Sequence, residues 1–124
     1  MYDRSQVVQY LDQILEAAGR IERRAADIET PQDFLINPSG VDRLDAICMM
    51  LIAIGENLKK IDAKTGGTLL PKYPLVPWGS VKRTRDVLSH GYFDVDEEIV
   101  FDISKNRIAD FISTVKKIRD DLTT

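Results

Sequence analysis

Cysteine is nearly absent from this sequence, and long apolar runs are absent altogether. The one cysteine, Cys48, has no second cysteine with which to form a disulfide inside the chain. It lies in the apolar run AICMMLIAI, which predicts a buried thiol. No stretch approaches the roughly 18–20 apolar residues of a membrane-spanning helix, and the first ten residues lack the pattern of a secretory signal. We therefore expect a cytoplasmic protein without a membrane segment.

An excess of positive charge is also missing. The 124 residues carry a formal net charge of −3, and the sequence pI is about 5.1. A protein that coats nucleic acid non-specifically needs a basic surface, so this class is excluded. A local cluster remains, because VKRTR places Lys82, Arg83 and Arg85 within five positions. The cluster indicates either an ordinary solvated helix face or a small RNA-binding surface.

Motifs for bound metals and nucleotide cofactors are not present either. The chain has one histidine, and it contains no cysteine–histidine cluster, no P-loop and no glycine-rich dinucleotide fingerprint. Enzymes that depend on such groups have no support in the sequence. We expect a protein without a cofactor or a metal ion.

Helical periodicity, by contrast, runs through most of the chain. Apolar residues recur at alternating spacings of three and four, which is typical of amphipathic helices, and no segment gives a convincing strand. The pattern predicts helices over 4–29, 41–61, 78–90 and 95–121. The last helix bends near 104–107, and the proline- and glycine-rich stretch 66–77 forms a loop. The prediction is an all-α fold: one domain, residues 1–124, folded as an antiparallel up-and-down bundle of four main helices plus a short helical turn.

Capping residues predict where the helices begin and end. TPQDF indicates a short helical turn capped by Thr30, and SGVDRL indicates that the second helix starts at Ser39. The pair Gly66–Gly67 ends that helix. Gly91 is predicted to be a left-handed cap at the end of the third helix, and Asp94 to cap the last one.

Several apolar residues predict packing or an interface. The loop is rich in them, with Leu69, Leu70, Tyr73, Leu75 and Val76. Exposed apolar surface of that extent marks an interface, so we expect a dimer with residues 78–92 near its axis. Met49 and Met50 are assigned to the core, and Trp78 is interpreted as a packing anchor.

The segment RTRDVLSHGYF holds the one histidine, His90, five residues after Arg85. Five residues correspond to about 140° around an α-helix, so the two side chains converge only if the chain turns at the helix end. A neutral imidazole transfers protons near pH 7, and an arginine holds phosphate, so the pair suits metal-free RNA cleavage. A cationic last turn followed by glycine is also an ordinary helix end. Spacing alone leaves both interpretations open.

RDVLSHGY, residues 85–92, resembles the R-x-x-x-x-H-x-Y motif of the HepT-like branch of HEPN domains, the toxins of HEPN–MNT toxin–antitoxin pairs. The segments AIGE (53–56), YPLVPW (73–78) and YFDVDEEIV (92–100) resemble the corresponding family segments in order and spacing. The resemblance implies a helical-bundle endoribonuclease that works without metal as a homodimer. It also implies a minimal nucleotidyltransferase as antitoxin, which transfers AMP to the motif tyrosine.

The resemblance assigns roles to individual residues. Arg85 and His90 are implied to be catalytic with Asp86 in support, and Tyr92 is implied to be the modification site. Around them, Lys82 and Arg83 are candidate RNA-binding cations.

The preceding helix adds two candidates. Glu56 is interpreted either as a residue that orients Arg85 or His90 or as a solvated or helix-pairing glutamate, and Gly55 permits close helix packing. A second hypothesis remains beside the ribonuclease: a non-catalytic helical partner, or a substrate-binding subunit, of a minimal nucleotidyltransferase.

Overall fold

Helices joined by short turns make up the whole described part of the chain, residues 2–124 of a computed structural model, and strands are absent from it. The helices are α1 (Arg4–Ala25), α2 (Pro38–Thr65), α3 (Trp78–His90), α4 (Glu97–Asp102) and α5 (Ile108–Thr123). A π turn, Ile103–Arg107, continues α4 into α5, so the two form the fourth long helix. The predicted all-α bundle of four main helices is confirmed.

The long helices run antiparallel, with α2 packed against α1 on one side and α3 on the other, while α5 packs against α1. The apolar seams predicted from the periodicity meet between them. Burying a side chain such as Leu or Ile stabilises the fold by about 1.5–3 kcal/mol, and many large side chains are fully buried. They include Val7, Leu11, Ile14, Ile21, Phe34, Ile47, Ile54, Leu58, Ile61, Leu70, Val100, Val115 and Ile118.

Helix ends agree with the sequence where glycine or a capping box is present. Thr30 caps the short turn Pro31–Phe34 as predicted, and it forms a capping box with Asp33. Gly66 ends α2 with a φ of 63°, in the left-handed region that glycine tolerates. The predicted bend near 104–107 is the π turn, and α3 has the predicted bounds.

Other boundaries were predicted wrongly. The first helix ends at Ala25 because the chain turns there, although Ile28 still packs inward and prolongs the apolar rhythm. Asn37, not Ser39, caps α2: its Oδ1 accepts from the Gly40 N–H at 2.8 Å. Short polar side chains cluster at this turn, and sequence spacing does not show which one faces the helix end.

Two further predictions fail after α3. Gly91 has a φ of −157°, which is extended backbone and not the left-handed cap that was predicted. The last helix is capped by Asp96, whose carboxylate accepts from the Glu98 N–H at 2.9 Å. The predicted cap, Asp94, instead closes the 3₁₀ turn Tyr92–Asp94 that follows α3.

Burial of the apolar residues is partly as predicted. Cys48 is buried, and Trp78 is an anchor: its ring lies 6.0 Å from that of Phe111, and its Nε1 donates to the Tyr73 carbonyl at 3.0 Å. Met49 was wrongly placed in the core, since it is 59% exposed.

The loop between α2 and α3 does not present the apolar surface from which a dimer was predicted. Leu69, Leu70 and Val76 are buried in the bundle, and among the large loop side chains Leu75 remains exposed. The 3₁₀ turn Leu70–Lys72 folds these residues back on the core. Apolar surface of the predicted extent is therefore not exposed at this loop. No helix within residues 2–124 has the length and apolarity needed to cross a membrane.

Candidate active site

Arg85 lies where α3 comes closest to α2. Gly55 has no side chain, and the aliphatic stem of Arg85 occupies the space that a Cβ there would fill. The guanidinium then reaches Glu56, whose Oε1 accepts from Nη2 at 3.2 Å. Nη1 donates to Oδ1 of the adjacent Asp86, also at 3.2 Å. Two carboxylates, one from each helix, thus hold the guanidinium in place.

The environment of Arg85 keeps it charged. Its hydrogen bond to Glu56, and then the one to Asp86, raise the pKa of Arg85 above the ordinary value. Its Nε–H is buried and has no acceptor among residues 2–124. A permanent cation of this kind cannot act as a base, but its planar fork of donors suits a phosphate.

Asp86 contacts both α2 and the other residues of the motif. Its Oδ1 accepts from Lys59 Nζ at 2.6 Å as well as from Arg85. The hydrogen bond from Lys59 is the main cause that lowers the pKa of Asp86, so the carboxylate is ionised at neutral pH. Its main-chain carbonyl accepts from His90 Nδ1 at 2.8 Å. One residue therefore contacts both implied catalytic side chains.

The hydrogen bond of His90 determines which ring nitrogen is free. A carbonyl oxygen only accepts, so Nδ1 carries the proton in the bond to Asp86. In the neutral imidazole Nε2 is then unprotonated and can accept a proton. The side chain is exposed at the end of α3. This arrangement suits a general base.

Arg85 and His90 are not brought together directly. No hydrogen bond joins them in the described part of the chain, and their link passes through Asp86. Arg85 faces α2, whereas His90 lies on the exposed face of α3 together with Arg83 and Val87. The predicted turn at Gly91 does not bring the two side chains together.

Tyr92 lies apart from this cluster and contacts the first half of α2. Its hydroxyl donates to Asp45 Oδ1. Burial, followed by that hydrogen bond, raises the pKa of Tyr92. Burial also raises the pKa of the neighbouring Cys48 to about 11, so the thiol is neutral at pH 7. Tyr92 is half-buried and protonated, whereas Phe93 beside it is fully exposed.

The two candidate RNA-binding cations differ. Lys82 is engaged across the helix interface, with its Nζ 2.5 Å from Asp62 Oδ2. Arg83 is exposed and donates to the nearby Ser80 hydroxyl at 3.0 Å. Of the two, Arg83 is the cation that faces solvent beside His90.

The sequence did not single out Lys59 or Asp45, which contact Asp86 and Tyr92. One signal was present: Asp45, Met49, Ile52, Glu56 and Lys59 are spaced by four and three residues, so they share one face of α2. That face runs beneath the whole motif. Identifying its partners required the position of α3, which the pattern does not give.

A cleft of about 370 Å³ lies on the other side of α3, against the π turn, and contains none of the predicted site residues. Two charged residues of its lining pair with each other, since Arg107 Nε donates to Asp102 at 2.7 Å. Within residues 2–124 no group of three or more His, Cys, Asp or Glu side chains is arranged to hold a metal ion.

Comparison with known proteins gives relatives named as ribonucleases. A protein of Thermococcus cleftensis named "Probable ribonuclease HepT" is 31% identical over 110 residues, which cover 89% of this chain and 93% of the relative. A protein of Methanocaldococcus jannaschii named "Putative RNase MJ0127" is 35% identical over 77 residues, 62% of this chain and 60% of its own length.

A longer relative from Methanocaldococcus jannaschii carries the name "Gamma-glutamylcyclotransferase and putative RNase MJ0434". It is 29% identical over 119 residues, which are 96% of this chain but 50% of that protein. The chain thus spans about half to three fifths of two of these relatives. No solved structure matches the chain.

The family described as Ribonuclease HepT-like matches residues 14–118, which include α2, α3 and every site residue discussed above. This match and the Thermococcus relative agree with the resemblance seen in the motif. The chain belongs to the HepT-like ribonuclease family.

Proposed function

We propose that this protein is a metal-independent endoribonuclease, the toxin of a toxin–antitoxin pair, and that it cleaves RNA with Arg85 and His90. One observation carries the proposal. The Nδ1–H of His90 is fixed on the Asp86 carbonyl, which leaves Nε2 free in solvent, and the carboxylate of the same residue holds Arg85. A base and a phosphate-binding cation are thus both hydrogen-bonded to one residue, Asp86.

The proposed reaction uses the 2′-hydroxyl of the RNA as nucleophile. His90 Nε2 removes the 2′-hydroxyl proton, the 2′-oxygen bonds to phosphorus, and the bond from phosphorus to the 5′-oxygen breaks. The leaving 5′-oxygen takes a proton from water, and His90 then returns the proton that it removed to solvent. The products are a 2′,3′-cyclic phosphate and a 5′-hydroxyl. Arg85 offsets the charge that gathers on the phosphate oxygens. Arg83, exposed on the same face as His90, binds the neighbouring backbone.

The protein is proposed to act as a homodimer. Arg85 faces α2 while His90 faces outward, so residues from two chains complete a shared cleft more readily than one chain does. Exposed apolar side chains lie on both sides of His90: Val87 is 64% exposed and Phe93 is fully exposed. A second copy that covers these side chains would bring the two motifs together.

Tyr92 is the proposed site of control. A minimal nucleotidyltransferase, acting as antitoxin, would transfer AMP to its hydroxyl, as the family resemblance implies. The hydroxyl is at present paired with Asp45, and its neighbour Phe93 is open to solvent. An added AMP would place a bulky anion two residues from His90, where it would compete with RNA.

A cleavage assay on matched substrates tests the catalytic proposal. RNA should be cut in EDTA and yield cyclic phosphate ends, and a 2′-deoxy substitution at the scissile position should abolish cutting. His90→Ala should lose on the order of 10²–10⁴-fold in rate, the range for a general acid or base. A need for added metal, or cutting at the deoxy site, would contradict the mechanism.

A non-catalytic partner of a nucleotidyltransferase is the second candidate. It is favoured by the pairing of Arg85 with Glu56 and Asp86, which is what a structural arginine would show. Expression of wild type and of His90→Ala in a bacterium, each without the nucleotidyltransferase, separates the two. The toxin proposal requires growth arrest and RNA breakdown from the wild type alone; equal harmlessness of both supports the partner.

A further inference from the structure

Lys59 is a charged residue of the site that lies outside the 85–92 motif. It is on α2, one turn beyond Glu56, and its Nζ lies 2.6 Å from Asp86 Oδ1. Arg85 Nη1 reaches that same oxygen at 3.2 Å. Two cations therefore share one carboxylate oxygen, and both are held close to where a phosphate bound by Arg85 would lie.

The charges in this cluster balance. Glu56 and Asp86 are the two anions in contact with Arg85, and Lys59 supplies the second cation. Without Lys59, Arg85 would lie between two carboxylates with no other cation in contact, and the group would carry a net charge of −1. Like charges a few ångströms apart repel appreciably near a protein surface. A phosphate would then be opposed by the residues that surround its binding group.

The contact with Lys59 also limits how Asp86 holds Arg85. With Nζ on Oδ1, the carboxylate is shared between two donors. Without Lys59, the carboxylate is free to bind the guanidinium through both oxygens, the arrangement arginine favours, and to occupy donors that a phosphate needs. His90 is not affected in this way, because it contacts the main-chain carbonyl of Asp86 and not the carboxylate.

We infer that Lys59 is a positioning residue of the proposed ribonuclease site: it neutralises Asp86 and so keeps Arg85 available to the phosphate of the RNA. The inference rests on the proposed RNA cleavage. A general loss of structure would weaken anion binding and proton transfer together, whereas the loss of Lys59 should weaken anion binding alone. Lys59 governs the binding of the anion through Arg85, whereas the proton transfer by His90 is independent of it.

Four variants test this role. Lys59→Met removes the charge and keeps much of the stem, and Lys59→Arg restores the charge. Lys59→Met combined with Asp86→Asn removes one charge of each sign and leaves the Asp86 carbonyl in place for His90. The control is Lys60→Met, since Lys60 is adjacent and exposed but its Nζ lies 5.7 Å from the Tyr10 ring centroid, on the side of α1. Thermal unfolding checks that each variant is folded.

The measurements are the KM and kcat for an RNA substrate, the pH profile of kcat, and the affinity for a 2′-O-methyl RNA that cannot be cleaved. Lys59→Met should raise KM and weaken binding by roughly threefold to tenfold, the size expected for one lost charge at a partly exposed site. The limb of the pH profile that reports His90 should not move. Lys59→Arg, and the double variant, should both recover most of the binding, and Lys60→Met should match the wild type.

Two results would overturn the inference: equal binding by Lys59→Met and Lys60→Met, or no recovery in the double variant. A wild type that binds the 2′-O-methyl RNA but never cleaves RNA would refute the proposed ribonuclease activity. The role of Lys59 would then be decided by the binding measurements alone. A wild type that does not bind RNA at all refutes both.

Discussion

Arg85 rests directly on Gly55: a Cβ added to the glycine would lie 2.3 Å from the Arg85 Cβ and 2.7 Å from its Cγ. Atoms at that separation overlap, so α3 has to move before any other residue fits at position 55. The approach of the two helices, and with it the reach of Arg85 to Glu56, depends on this one missing side chain.

Gly55→Ala should therefore displace α3, lower the free energy of unfolding by about 1–3 kcal/mol and abolish RNA cleavage. Gly19→Ala is the matched control, because a Cβ at Gly19 meets nothing within 4 Å. That change should raise stability by up to about 1 kcal/mol, since alanine favours a helix. Denaturant unfolding and a cleavage assay measure both. A stable and active Gly55→Ala would show that α3 can move without harm.

Arg85→Lys should lose on the order of 10²-fold or more in cleavage rate although it keeps the positive charge. An ammonium cannot reach Glu56, Asp86 and a phosphate together through a planar fork of donors. Arg83→Lys, exposed on the same helix, should keep both kcat and the salt dependence of the rate, because the positive charge remains. Initial rates at several salt concentrations compare the two, and equal losses would remove Arg85 from its proposed role.

Tyr92→Phe should cleave RNA at nearly the wild-type rate and yet escape the antitoxin. The change removes the acceptor oxygen and its bond to Asp45, and leaves Arg85, Asp86 and His90 as they are. Incubation with the nucleotidyltransferase and ATP, followed by mass spectrometry, should show added AMP on the wild type alone. Tyr73→Phe, in the loop between α2 and α3, is the control and should still be modified. AMP found on the Tyr92→Phe variant would point to a different acceptor.

Alkaline pH should destabilise the fold through two tyrosines. Burial, followed by the hydrogen bond to Asp121, raises the pKa of Tyr73 from 10.0 to about 12, and the pKa of Tyr92 is raised as well. Above pH 10 the unfolded chain loses these protons before the folded chain does, so their stabilisation, complete below pH 10, is lost as the pH rises through the folded values. Tyr73→Phe should therefore show a smaller fall in unfolding free energy between pH 10 and 12 than the wild type. Parallel curves would contradict this.

Val87→Glu should produce a monomer and stop cleavage, because it places a charge in the proposed contact between two α3 helices. Ile36→Glu is the control: Ile36 is 69% exposed, like Val87 at 64%, but belongs to the turn before α2. Sedimentation at micromolar concentration measures the assembly. A monomeric wild type would contradict both the dimer and the shared cleft.

Periodicity predicted the long helices because burial of one face dominates their energetics, as the continuous stripe from Val7 to Ile21 illustrates. It failed at helix ends, where several short polar residues compete for the same N–H groups, as Asn37 and Ser39 do. Periodicity also failed in the loop, because it did not predict that Leu69 and Leu70 pack against the bundle. Those residues are buried by the fold of the loop, which no local pattern encodes.

The candidate site was predictable only in part for a similar reason. The motif itself identified Arg85, His90 and Tyr92, and the helix before it identified Glu56. Lys59 and Asp45 emerged only from the packing of α3 on α2, since contacts between helices depend on rotation and depth that a single sequence does not state. Packing also adds a contact for Lys82, a candidate RNA-binding cation whose pairing with Asp62 the sequence did not predict.

The π turn between α4 and α5 has a consequence for how the chain could have arisen. Val100 and Ile108 both face the core although eight residues separate them, and eight residues of α-helix, at about 100° each, overshoot two full turns by about 80°. Seven residues would complete two turns almost evenly. The segment Ile103–Arg107 thus holds one residue more than an uninterrupted helix would need, and the wider π turn absorbs it. The fourth helix has the form of a regular helix with a single-residue insertion, placed on the side of α3 that faces away from Arg85 and Lys59.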